Sequence, residues 1–423
     1  MEKLFTARPV LVVQVNRFLW LSCTVCLFSI QPLEVDCMHP HILPDSFYHQ
    51  GDLFSMPIQN HFNKFNKKIY LTSHSEGYKK AKKKDKSIFE EIKIAFKEAG
   101  YPVIDSFMQG SFAVNTAINS LDGDFDIDRA IVIDAEKAPE DPLAPKKVIK
   151  EVLDKRNFKD PRIKKPCVTA DYKSINLHID YTIYKKETSF FGDDTYYLAV
   201  GKNGSSDEHK EWSEADQKGL IEWIDSVDDF VFGATVKRKQ LKRLIRYIKR
   251  WRDVNFNSEE VRKKVFSIGL TVMLKEQYSP NSLSAEVDDD LQALKSTVEA
   301  ILDADYISAP WGRDDYRVYV KLPKKPKRDI FQHKVEGGHA DGSDLNVGAQ
   351  LRNKLLKLQE DLQKASDETD EVEQCKILNR MFGDDFKVPK QEKQSSSKAA
   401  SSLTAAGVAP LSTAGASGTS QGA

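Results

Sequence analysis

Asp126, Asp128 and Asp180, with a Gly-Ser turn nearby, are the residues of this chain best suited to do chemistry. Gln109-Gly110-Ser111 is followed, after a short polar stretch, by Asp124-Phe125-Asp126-Ile127-Asp128. Residues two apart on a strand share a face. Asp126 and Asp128 therefore project together, with Asp124 one step earlier, while Phe125 and Ile127 point into a core. Two carboxylates side by side repel each other without a cation, and hard oxygen ligands of this kind suit Mg²⁺. The plainer reading is an acidic turn entering a strand. Against it stands a third carboxylate. Leu177, Ile179, Tyr181 and Ile183 alternate with His178, Asp180 and Thr182, as in a strand with one apolar face. An unpaired charge at Asp180 in mid-strand would be costly. If the two strands are neighbours, three aspartates meet. Two-metal phosphoryl-type transfer needs such a set, with one ion activating the attacking hydroxyl and the other steadying the triphosphate, the ions roughly 3.5–4 Å apart. Gly110 lets the backbone approach a phosphate, and Ser111 offers it a hydroxyl. His178 shares the polar face, either as a ligand or, because Mg²⁺ favours oxygen, as a satisfied structural histidine.

The elements that must position these groups follow an α/β pattern. Ile88, Phe89, Ile92, Ala95 and Phe96 recur at helical spacing, with Gly100 as the stop. The run Lys79 to Lys84 precedes that helix, as a solvated face or as a site for an acidic partner. Pro102 to Phe107 reads as the strand that delivers the Gly110-Ser111 turn, and Ala130 to Ile133 continues the acidic strand. From Lys237 to Arg252 a basic helix opens a second lobe, with Leu241, Leu244, Ile245 and Ile248 as its buried stripe. Lys242, Arg246 and Lys249 share one of its faces. Such cations have a use: three carboxylates with two divalent ions leave about one positive charge, against about four negative ones on a triphosphate. Further on, Arg317 to Leu322 alternates like an edge strand ending at Pro323. Leu351, Leu355, Leu358 and Leu362 form a core stripe, and Val372 to Phe382 a helix closed by Gly383.

Taken in order, these blocks resemble the nucleotidyltransferase superfamily of DNA polymerase β. They resemble more closely the CD-NTases, bacterial relatives of cyclic GMP-AMP synthase and oligoadenylate synthetase. Besides Gln109-Gly110-Ser111-Phe112, Asp124 to Asp128 and His178-Ile179-Asp180, the blocks are Trp212-Ser213 with Lys218-Gly219-Leu220, Arg246 to Trp251, and Ser267 to Thr271. The resemblance runs from about Phe62 to Pro389. It implies an α+β fold, with a polymerase β-like core of mixed β-sheet at 56–235, a helical lobe at 236–389, and the active site in the cleft between them. It implies catalytic, metal-holding roles for Asp126, Asp128 and Asp180 around two Mg²⁺ ions, with Mn²⁺ as a substitute. It places Gln109, Gly110, Ser111, Lys249 and Ser267 at the nucleotide, the last two on the donor triphosphate. Ser267 would open a helix whose N-terminal amides also favour an anion. The substrates implied are NTPs (ATP, with GTP, UTP or CTP as further candidates). The product implied is a cyclic oligonucleotide that acts on a separate effector in antiphage signalling in the cytoplasm.

Composition agrees with an enzyme of that size. A chain of 423 residues is long enough for two lobes. Lys+Arg 63 against Asp+Glu 63 leaves no global field for nucleic acid or membrane. The odd, scattered cysteines (Cys23, Cys26, Cys37, Cys167 and Cys375) build neither a disulfide framework nor a zinc site. Nothing matches the zinc-bearing, DNA-gripping insertion of the animal cyclic GMP-AMP synthases, so activation by duplex DNA is not implied. Residues 1–55 differ in composition. Phe18 to Ile30 is apolar but short for a membrane span, and Met56 looks like a natural start for the family. Upstream sequence outside the native protein, an export or membrane segment, and an extra ordered element are the three readings. Residues 390–423, rich in Ser, Ala, Gly and Thr and free of aromatics, read as a disordered tail. Such a tail is either inert or a site of C-terminal conjugation to a partner. Two rivals share these sequence features: a linear template-independent nucleotidyltransferase, and a nucleotide-binding scaffold with a dead active site.

Overall fold

Alternating apolar residues at 127–133 and 177–183 build the two central strands of a mixed sheet. The computed structural model describes residues 57–390 apart from 122, 124, 157, 159, 173–176, 228–232, 279–288, 310–315 and 332–344. All of these lie within one compact unit, Phe54–Ala423. Asp124 and the readings of residues 1–55 and 391–423 fall outside the described residues.

The sheet runs β1 (Val103–Gln109), β2 (Phe125–Asp134), β5 (Leu177–Thr188), β4 (Val168–Tyr172), β3 (Arg162–Ile163). The far half of β5 pairs instead with β6 (Asp194–Val200), which continues to β7 (Glu211–Glu214). β2 and β5 are parallel, and the other pairings are antiparallel. The two acidic strands are therefore neighbours. Ile127, Ile131, Ile133, Ile179, Tyr181 and Ile183 are fully buried. They pack against Ile88, Ile92 and Phe96 of α2 (Glu76–Glu98) and Ile149 and Leu153 of α4 (Leu143–Lys155). The opposite face carries the aspartates.

Two expectations change here. The lysine run 79–84 does not precede the helix; it lies within α2, which starts at the Ser75 cap, where Ser75 Oγ accepts from Tyr78 N at 3.3 Å. Its long stems leave charged ends in water, so helix propensity carries the element across the run. The expected edge strand 317–322 is only Arg317–Val318 (β9), paired with Ile307–Ser308 (β8), followed by a Lys321–Asp329 bridge.

A helical core forms the other half. α6 (Ala234–Asn255) runs through it with Leu241, Leu244, Ile245 and Ile248 buried as expected. Around it lie α5 (Gln217–Asp225), α7 (Glu259–Lys264), α8 (Ser267–Gln277), α9 (Asp290–Asp303), α10 (Val347–Asp367) and α11 (Glu371–Phe382). Leu351, Leu355, Leu358 and Leu362 are buried on α10, and Gly383 closes α11 at φ 75. α1 (Pro57–Ile69) precedes the whole sheet in sequence but joins this core, its Phe62 and Phe65 rings against Tyr247, Phe382 and Phe386. Among the described residues no helix is long and apolar enough to cross a membrane.

Candidate active site

Sheet register decides the geometry of the acidic cluster. Across the sheet, Gln109 lies opposite Asp128, Asp128 opposite Asp180, and Asp180 opposite Thr169. One pleat away, Asp126 lies opposite His178 and His178 opposite Asp171. Asp126, Asp128 and Asp180 thus share one face on adjacent strands. Gly110 follows at the end of β1, at φ +64, and opens the single-turn helix α3 (Gly110–Ala113). A Cβ added to Gly110 would meet Asp128 Oδ2 at 2.0 Å, so the carboxylate lies directly on the glycine backbone. Only glycine accepts both this conformation and this contact.

Each carboxylate has distinct surroundings. Burial, then Asp180 and Asp126, push the Asp128 carboxyl up to about 7, against the pull of Lys164 and Lys249. Thr169 donates its hydroxyl to Asp180 Oδ1, and Lys164 Nζ lies 3.6 Å from the same oxygen. Lys164 is fixed in turn by the buried Lys146, whose Nζ donates to the carbonyls of Lys164, Lys165 and Gly201 at 3.1, 2.6 and 2.9 Å. His178 Nδ1 is 2.6 Å from Asp171 Oδ1, the satisfied structural role rather than an evident ligand. Among the described residues no three His, Cys, Asp or Glu side chains are arranged as a closed metal site. The donor chemistry nevertheless suits a hard divalent cation: carboxylate oxygens share one sheet face, and the ionised form of Asp128 is disfavoured by burial and by its two acidic neighbours.

These carboxylates border a cleft of about 450 Å³ between sheet and helical core. Asp126, Asp128, Gly110 and Ser111 line one wall, and Lys249, Arg252 and Ser267 the other; Asp180 lies beside Asp128 but does not line it. Lys249 is buried, and its Nζ donates to Thr116 O and Oγ1 at 3.0 and 3.1 Å. Burial, then Arg252 and Arg246, push its ammonium down to about 7. Leu220, Ile221, Ile224 and Ile268 add apolar surface, enough to receive a base beside the polar groups.

Other expected contributors sit elsewhere. Gln109 turns its side chain into the sheet, donating to Thr182 Oγ1 at 2.7 Å and accepting from Tyr184 at 3.1 Å, and it does not line the cleft. Lys242 pairs with Asp225. Arg246 bonds Asn66 Oδ1 at 2.8 Å and Asn115 O at 2.6 Å and lies over the Tyr70 ring. Lys164, Thr169 and Arg252 were missed by sequence reasoning. Lys164 sits in an ordinary-looking Lys-Lys-Pro turn, and Arg252 is one cation among many on α6, so no local signal marks either.

Residues 105–184 match the profile of the cyclic GMP-AMP synthase DncV-like nucleotidyltransferase domain. That stretch is similar to a DncV-like nucleotidyltransferase domain. The matched stretch contains Gly110, Ser111 and all three aspartates, and with the fold it supports assignment to the CD-NTases. The Bradyrhizobium diazoefficiens CD-NTase CdnG, solved with GTP, is 15% identical with a TM-score of 0.54, covering 79% of this chain and 97% of its own. The Vibrio cholerae cyclic AMP-GMP synthase DncV is 17% identical with a TM-score of 0.54, covering 77% and 96%. A second DncV structure, with the linear intermediate 5′ pppA(3′,5′)pG, gives 17% identity and 0.54, covering 77% and 97%. At these identities the likeness is one of fold, the polymerase β-like nucleotidyltransferase fold with its α+β architecture. No curated protein matches the sequence.

Proposed function

We propose that this chain is a template-independent nucleotidyltransferase that joins NTPs into a cyclic di- or trinucleotide and releases pyrophosphate. The observation that carries the reading is the register placing Asp128 beside Asp180, with Asp126 on the same face and the Gly110 turn against Asp128 at the mouth of the cleft. In each step a ribose hydroxyl attacks the α-phosphorus of a 5′-triphosphate, that of an NTP during extension and that of the linear intermediate at ring closure. The new P–O bond replaces the bond to the bridging oxygen, and pyrophosphate leaves. Asp126, Asp128 and Asp180 would hold two Mg²⁺ ions (or Mn²⁺), which when bound supply phosphate charge neutralisation and acidify the ribose hydroxyl.

The other residues act from the two walls. Gly110 presents backbone and Ser111 its hydroxyl to the donor phosphates. Lys249 and Ser267 approach the same triphosphate from the helical side. A bound polyanion favours the charged form of Lys249, which burial otherwise opposes. Asp180, steadied by Thr169, is the carboxylate assigned to receive the attacking hydroxyl's proton. Gln109 takes no part in direct contact; it anchors the end of β1 that carries Gly110. Among the solved structures of similar fold, a cyclic AMP-GMP synthase and its complex with a linear intermediate support a route through a linear dinucleotide before ring closure. In this reading the ring is a second messenger for a separate effector in antiphage signalling, made in the cytoplasm.

Asp126→Ala combined with Asp128→Ala should abolish pyrophosphate release from NTPs and Mg²⁺ while the thermal unfolding transition persists. Turnover retained in that folded double variant would reject the assignment. Phosphatase treatment separates the ring from a linear product, because only the latter has a terminal phosphate to lose.

A further inference from the structure

On the helical wall of the cleft, four of the five guanidinium N–H donors of Arg252 are engaged by neighbouring protein groups. Its Nε and Nη2 donate to Asp253 Oδ1 at 3.0 and 2.7 Å. Its Nη1 donates to Val265 O at 3.3 Å and to the hydroxyl oxygen of Ser267. Arg252 and Asp253 are both mostly buried, with side chains 19% and 14% exposed, so the fork is held in one orientation. An arginine has five donors and no acceptor, whereas a serine hydroxyl both donates and accepts. With Arg252 occupying the acceptor side of Ser267 Oγ, the hydroxyl proton has to be directed elsewhere. Ser267 lines the cleft, and it is the first residue of α8, after the Phe266 cap. The first-turn amides of a helix have no intrahelical acceptor, so the hydroxyl and these amides are donors at the same end of α8.

We propose that Arg252 is a positioning residue for the triphosphate site: it polarises Ser267 and fixes its hydroxyl as a donor toward the bound phosphates. The proposal rests on the nucleotidyltransferase reading above and adds to it a residue that acts through Ser267. Asp253 and Val265 hold Arg252 in place on the cleft wall, and the contribution proposed for it passes through the Ser267 oxygen.

The test is a double-mutant cycle on Arg252 and Ser267, read by calorimetric binding of inorganic tripolyphosphate with Mg²⁺ to the full chain. That probe needs no knowledge of base preference. Ser267→Ala should weaken binding about tenfold, the loss expected for one hydrogen bond to a charged group. Arg252→Gln should lose most of that, and the double variant should be no weaker than Ser267→Ala. Arg252→Lys, which retains a donor for Ser267, should recover much of the affinity. With NTPs, the same variants should raise KM more than they lower kcat. Multiplying effects in the double variant, or wild-type binding by a folded Arg252→Gln protein, would overturn the coupling while leaving the nucleotide site intact. Tripolyphosphate binding that is absent even in the wild type would instead overturn the nucleotide reading, and this proposal with it.

Discussion

Asp128 is the residue where electrostatics and function meet. Its carboxyl is raised from 3.8 to about 7 in the folded protein. A raised acid pKa favours the protonated folded state, so this group's contribution to metal-free stability is fully present below about pH 4. The contribution falls as pH climbs through about 7, where the buried carboxylate ionises among its like-charged neighbours. Asp128→Asn should therefore raise the melting temperature of the metal-free protein more at about pH 8 than at about pH 5. An equal gain at both values would mean that Asp128 is ionised throughout. At Gly110, substitution by Ala should cost about 1–2 kcal/mol for the left-handed backbone alone and should displace Asp128, so pyrophosphate release should collapse in a protein that still folds. Activity near that of the wild type would show that the turn has no such contact. At this scale the acidic residues were legible because their spacing of two matches the pleat. Lys164 and Thr169, which hold Asp180, were not: Thr169 meets it only through pairing of β4 with β5, Lys164 only through the turn between β3 and β4, and nothing in their local sequence states it.

At the scale of elements, the apolar side of the sheet away from the cleft also contains a buried ion pair. Asp85, fully buried on α2, bonds the Arg129 guanidinium through both carboxylate oxygens. Arg129 lies one residue after Asp128 and on the opposite face of β2, over the Phe89 ring. Asp85→Ala leaves that guanidinium buried without its partner and should cost about 3–5 kcal/mol in urea unfolding, whereas a loss below about 1 kcal/mol would mark the pair as a surface-like contact. Sequence periodicity anticipated α2, β2, β5, α6 and α10 because each has a continuous apolar stripe. It could not show that Asp85, in a lysine-rich stretch, is buried, since only the opposing Arg129 makes that burial tolerable. β9 was overestimated for a related reason: alternation at 317–322 satisfies the pattern of a strand, but the chain offers it a partner for two residues alone.

For the molecule as a whole, successive turns of α6 grip the loop that follows the Gly110 turn. Arg246 bonds Asn115 O, Lys249 bonds Thr116 O, and Arg250 bonds Asn119 O at 2.5 Å. These donors tie the helical core to the loop that leads from the Gly110 turn, beside the cleft. The sequence displayed a cationic helix but gave no means of choosing which cations face a nucleotide and which hold backbone. That choice depends on where the 115–119 loop lies. Arg246→Met should lower stability by about 1.5–3 kcal/mol, the loss expected for hydrogen bonds to a charged group, and should also reduce turnover by loosening the cleft. Unchanged turnover with lowered stability would separate the two roles.

The most direct measurement is the mass of what the purified protein makes from all four NTPs with Mg²⁺. The expected result is pyrophosphate together with a phosphatase-resistant species whose mass equals two or three nucleotides closed into a ring. A product that keeps a removable terminal phosphate, or no product from an intact Asp126, Asp128 and Asp180 set, would contradict it.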